Sequence, residues 1–170
     1  MFDSLLAMLQ SLFETIEQTS FSEAMRTSDW IFPNIEIIHV LGISFVVGSI
    51  AMVDLRLLGV LYKDRRVTEL ARDTLPWTWS GFVVAAIAGT MLFLSQPTKY
   101  YVNPPFLMKF VLMGLAGLNM AVFHRFAYHH VSDWDIQRSP PPGAKIAGAL
   151  SLALWIGVVT FGRWIGFTVN

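Results

Sequence analysis

The stretch "IEIIHVLGISFVVGSIAMVDLRLLGVLY", residues 35–62, decides the fold. From Ile37 to Val53 it contains no Asp, Glu, Lys or Arg, so a helix built from it has no polar face. A helix that is apolar all round belongs in a large core or in lipid. Three further stretches read the same way. Trp77 to Leu94 and Ile146 to Gly162 are uncharged, and Pro104 to Phe123 carries Lys109 alone. With its flanks each reaches the ~20 residues that cross a ~30 Å hydrocarbon core, where a single segment satisfies its own backbone only as a helix.

The composition points to the same solvent. Of 170 residues, 54% are hydrophobic and 14% charged, with a mean hydropathy of +0.53. A soluble domain carries about 25% charge. Twelve basic and twelve acidic residues cancel, leaving no basic excess to meet the phosphates of nucleic acid. The chain has no cysteine, which excludes disulfides, thiolate catalysis, iron–sulfur clusters and Cys-based zinc sites. The expected fold class is all-α: a four-transmembrane-helix bundle over residues 31–170, with spans near 33–60, 77–96, 105–128 and 144–167. Residues 1–30 are expected to form an amphipathic interfacial helix and a linker. Phe2, Leu5, Leu6, Leu9, Leu12, Phe13 and Ile16 recur at helical spacing, with Asp3, Gln10, Glu14, Glu17 and Gln18 mainly elsewhere. Such a helix lies on membrane lipid, held by apolar burial because its polar face is acidic.

Basic residues set the expected topology. Arg56, Lys63, Arg65, Arg66, Arg72, Arg125, Arg138 and Lys145 follow the first and third spans, against Arg26, Lys99, Lys109 and Arg163 on the other side. Eight against four puts both of those loops in the cytoplasm and both termini outside, in a multi-pass protein of the bacterial inner membrane. Two small-residue ridges, Gly81–Ala85–Gly89 and Ala149–Ala153–Gly157, predict close helix packing. Trp77, Trp79, Tyr100, Tyr101, Trp134 and Trp164 fall near span ends, as an aromatic belt does.

Ionisable residues inside the spans are the candidate functional groups. Counted from the start of its span, His39 lies roughly 9 Å deep with Glu36 one turn above it, and Lys109 lies about 6 Å deep. Arg163 falls near the outer end of the last span. Glu36, His39, Lys109 and Arg163 are therefore expected in one outer-leaflet layer whose formal charge of about +1 suits an acidic or quinone-like ligand. His124 lies about 28 Å from the outer edge, so it and His39 cannot hold the same iron. His129 and His130 are expected at the interface. Asp54, at the inner end, is expected to pair with Arg56 or Arg125.

Histidine in a membrane bundle is the usual axial ligand of haem b, and His39 is the expected iron ligand. A second ligand would come from Met108, Lys109 or Met91 at that depth, or from Met52 beside His124. Glu36 and His39 also have the ExxH spacing of half a dinuclear carboxylate site, but the spans hold no other Glu to complete it. No Gly-x-Ser-x-Gly or P-loop motif is present.

The first span, and "PPFLMKFVLMGLAGLNMAVFHR" at residues 104–125, resemble uncharacterised bacterial four-helix membrane proteins. More distantly they resemble the HemJ-type protoporphyrinogen oxidases and the membrane domain of copper-resistance protein D. The shared features are a His near the outer end, a mid-span Gly and an inner Arg-Leu in one span, then a Lys and a later His in the other. The resemblance implies a haem or porphyrin role for His39 and Lys109. The leading expectation is thus a haem-b- or porphyrin-linked redox role at the outer site. Cofactor-binding candidates are His39, Lys109, Arg163, Glu36 and His124, and the partner is a porphyrin or quinone. Two alternatives are a non-catalytic membrane subunit that assembles with itself or with a larger complex, and a proton-coupled transporter or channel.

Overall fold

A computed structural model describes residues 2–126, 128, 131, 134–135 and 139–169; His129, His130 and Arg138 lie outside the described residues. These form seven helices and, among the described residues, no strand. Four are long and apolar enough to cross a membrane: α3 (Ile31–Leu57), α4 (Val67–Ser95), α6 (Pro104–Phe126) and α7 (Pro142–Thr168). The remaining three are α1 (Phe2–Glu17), α2 (Ser20–Thr27) and the single turn α5 (Pro97–Tyr100). The fold is the four-helix transmembrane bundle with an N-terminal helix. The region after α1 is not a plain linker, because Thr19 caps a second helix, its hydroxyl accepting from the Ser22 amide.

The spans pack through glycines. Gly42 of α3 lies so close to α4 that a Cβ would sit 2.9 Å from the Ala85 nitrogen and the Gly81 oxygen. Gly148 brings α7 against the Asp54 carbonyl of α3, and Gly157 seats Leu112 of α6 on α7. The first ridge read from the sequence is therefore used inside the bundle. In α7 the buried face is Ala144, Gly148, Leu154 and Val158, while Ala149 and Ala153 point outward. Ile37, Leu41, Phe45, Ile87, Phe110, Leu118 and Ile156 are all exposed on the outer faces, the surface that a bilayer covers.

Helix α4 begins at Val67, ten residues before the uncharged run opens at Trp77. Its first turns carry Glu69, Arg72 and Asp73, charges that a hydrocarbon layer disfavours. Exposed Trp77 and Trp79 mark the boundary instead. Their belt role does not extend to Trp134, which is buried with Leu57, Val67, Phe123 and Ala144 at the end of the bundle away from α1.

That far end is fastened by Arg56. Its side chain is 1% exposed, donating from Nε to the Arg65 carbonyl at 2.8 Å and from Nη2 to the Asp135 carbonyl at 3.0 Å. The Asp135 carboxylate in turn accepts from the Thr68 amide and hydroxyl, capping the start of α4. The expected ion pair of Asp54 with Arg56 or Arg125 does not form. Residues two apart diverge on a helix, and the Arg125 guanidinium instead lies over Phe126.

At the opposite end α1 and α2 lie across the end of α4 and α5. Phe13 meets the rings of Phe93 and Tyr101, Ser22 donates to the Leu94 carbonyl, and Arg26 donates to the Ser95 carbonyl. Glu17 accepts from Thr98. Leu5, Leu6, Met8 and Leu12 of α1 stay exposed at this level, consistent with a helix bedded in the interface.

Candidate functional site

Three spans supply one polar contact and the fourth packs beside it. His39 projects from α3 and its Nδ1 lies 2.7 Å from the Ala85 carbonyl of α4. A carbonyl only accepts, so Nδ1 carries the proton and Nε2 is the ring's acceptor. Lys109 of α6 donates to it, its Nζ lying 3.3 Å from Nε2. The imidazole fits beside the Ala85 carbonyl because residue 89, one turn on, lacks a side chain: a Cβ on Gly89 would stand 2.8 Å from the ring's Cε1. On α7 Gly162 lies beside the Lys109 stem, a Cβ there reaching ordinary contact with Cδ, Cε and Nζ at 3.8 Å. Both basic side chains are half-buried.

Neither base has an acidic neighbour. Among the described residues the ion pairs are Arg26–Glu17, Arg65–Asp73 and Arg66–Glu69, all outside the apolar segments. Two bases thus share a site in the apolar layer without a counter-charge, an arrangement that favours an anionic or carbonyl oxygen brought by a ligand.

The other candidates fall elsewhere. Glu36 is exposed, and its charge acts on Tyr100. Burial, then the Glu36 charge, push the Tyr100 phenol above its ordinary range, and a hydrogen bond with Ser95 works the other way. Arg163 follows Gly162 but is exposed, its guanidinium 5.1 Å from the centre of the Phe167 ring. His124 is exposed at the far end, with Nδ1 on the Met120 carbonyl at 2.9 Å and its ring against Tyr128. Among the described residues no group of three or more His, Asp or Glu side chains could hold a metal ion. An iron would be held by His39 through Nε2, the nitrogen that Lys109 faces at 3.3 Å.

Two features escaped sequence reasoning. Gly89 looked like part of a packing ridge and is the seat of an imidazole. The Arg56–Asp135–Thr68 cluster had no signal, because Asp135 lies in a connection with no periodicity.

The chain belongs to a family of unknown function, DUF6644, which matches residues 12–168. The curated proteins and the solved structures gave no significant match.

Proposed function

We propose that this membrane protein has a redox-linked role on a planar apolar ligand, a porphyrin or a quinone, whose acidic or carbonyl oxygen is held by Lys109 and His39. The observation that carries this reading is the Lys109–His39 contact at the meeting of four spans with no acid in ion-pair range. A porphyrin carboxylate or quinone oxygen supplies the missing acceptor. Lys109 binds it as a cation, and His39, fixed by the Ala85 carbonyl, holds the lysine in place and can take a proton at Nε2. The distant likeness to HemJ-type oxidases and to the copper-resistance membrane domain agrees with the porphyrin alternative. A haem b would be held here by its propionates on Lys109, since iron ligation through His39 would need that lysine to turn away. Bound at the site, a porphyrin or quinone would itself supply the electron chemistry.

The absorption spectrum of the protein extracted from membranes, before and after addition of porphyrin, tests this. The expected result is a porphyrin band that His39→Ala or Lys109→Met weakens and His124→Ala leaves unchanged. A protein that takes up neither porphyrin nor a soluble quinone analogue overturns the reading. The outward face of Ala149 and Ala153 favours a second reading, assembly with another membrane helix. Native mass measurement in mild detergent tests it, and a strictly monomeric species counts against it.

A further inference from the structure

We propose that Asp54 is a second, separate site: a proton-exchange carboxyl at the far end of the bundle. Its side chain sits between α3 and α7 with the residue 5% exposed. Ser151 hydrogen-bonds one carboxyl oxygen, and Oδ2 is buried with no hydrogen-bond partner among the described residues. The closeness of α7 here is built in, because a Cβ on Gly148 would lie 3.0 Å from the Asp54 carbonyl oxygen. One turn before Ser151, the Ala147 carbonyl accepts from Asn119 of α6 at 2.9 Å. Asp54, Ser151 and Asn119 therefore place carboxyl, hydroxyl and amide groups of three spans near one level of the bundle.

The charged groups nearby leave the carboxyl uncompensated. On α3 itself Arg56 diverges from Asp54 and is spent on the carbonyls of Arg65 and Asp135. On α4, Arg66 pairs with Glu69, and Asp73 pairs with Arg65. On α6 His124 and Arg125 are exposed, with His124 bonded to Met120. Lys145, in the first turn of α7, makes no ion pair among the described residues. A buried carboxylate with no cation takes a proton in preference to keeping its charge. The step is a simple one: a hydronium ion at the far end breaks an O–H bond and leaves as water while the Oδ2–H bond forms, and Ser151 continues to donate to Oδ1; release is the reverse. Asp54 lies about 22 Å along α3 from His39. Gly42, Val46 and Ser49 occupy the buried face between them, and the Ser49 hydroxyl is engaged by the Phe45 and Val46 carbonyls and by Thr78 of α4, so the exchange is assigned to the far side and not to the outer pair.

Infrared difference spectroscopy of the full chain in lipid nanodiscs tests this. At neutral pH a carboxylic C=O band is expected that is lost in Asp54→Asn and displaced in Asp54→Glu and in Ser151→Ala. The band should shift promptly on transfer to heavy water and be the same in sodium and potassium buffers. Identical spectra for the wild type and Asp54→Asn overturn the proposal. So does a band that ignores heavy water, which marks a sealed structural proton, or one that sodium alone abolishes, which assigns the carboxylate to a metal ion.

Discussion

His39 is held by three things at once: the Ala85 carbonyl on Nδ1, Lys109 on Nε2, and the bare face of Gly89 against its edge. Replacing Gly89 by Ala puts a methyl 2.8 Å from Cε1, so the ring must shift from the position that serves its two partners. Overpacking of this kind costs about 1–3 kcal/mol. We expect Gly89→Ala to lower the thermal midpoint in detergent and to reduce ligand uptake as much as His39→Ala. Equal uptake by Gly89→Ala and wild type would show that the ring's position is immaterial. Tyr100 gives a residue-scale pH prediction. Its phenol is raised, so the folded chain holds that proton where an unfolded chain has lost it. Stability from this group is intact below the ordinary tyrosine value of about 10 and is lost as pH rises through the higher folded value. Tyr100→Phe should remove that alkaline loss, followed by tyrosinate absorbance and unfolding together. The meeting of His39 with Lys109 was legible in the sequence, because helical rise alone puts both near the same depth. The outward turn of Glu36 and Arg163 was not, since depth says nothing of which face a residue occupies.

Between helices the contacts are set by where side chains are missing. A methyl on Gly42 would meet α4 backbone at 2.9 Å, with no flexible atom to give way. Gly42→Ala is expected to push α3 from α4 and to cost about 1–3 kcal/mol or more. Gly48, on the same helix, has nothing within 4 Å of a built Cβ. Gly48→Ala should be neutral or, through helix propensity, gain up to about 1 kcal/mol. Equal effects of the two substitutions on thermal unfolding would contradict the packing described. Arg56→Ala removes two hydrogen bonds from a charged donor, each worth about 1.5–3 kcal/mol, and should loosen the 58–66 connection to proteolysis. The existence of the four spans could be read from charge-free runs, whereas the start of α4 could not. Composition marks where a helix enters hydrocarbon, and α4 begins about 15 Å earlier, in water, under the Asp135 cap.

For the whole molecule, the bundle and its lipid-facing surface follow from the chain's shortage of charge. Orientation rests on the eight-against-four distribution of Lys and Arg. Because the chain has no cysteine, single cysteines report topology without background. Cysteines placed at Ser4 and Thr98 should react with an impermeant reagent from outside, and one at Lys63 only after the membrane is opened. The reverse pattern would invert the assignment. Whether Lys109 and His39 together hold the oxygen of a planar apolar ligand is decided by titrating the protein with porphyrin and following absorbance. Saturable binding is expected that weakens at least about tenfold in Lys109→Met, equivalent to about 1.4 kcal/mol. Binding of the same affinity in Lys109→Met and wild type would contradict it.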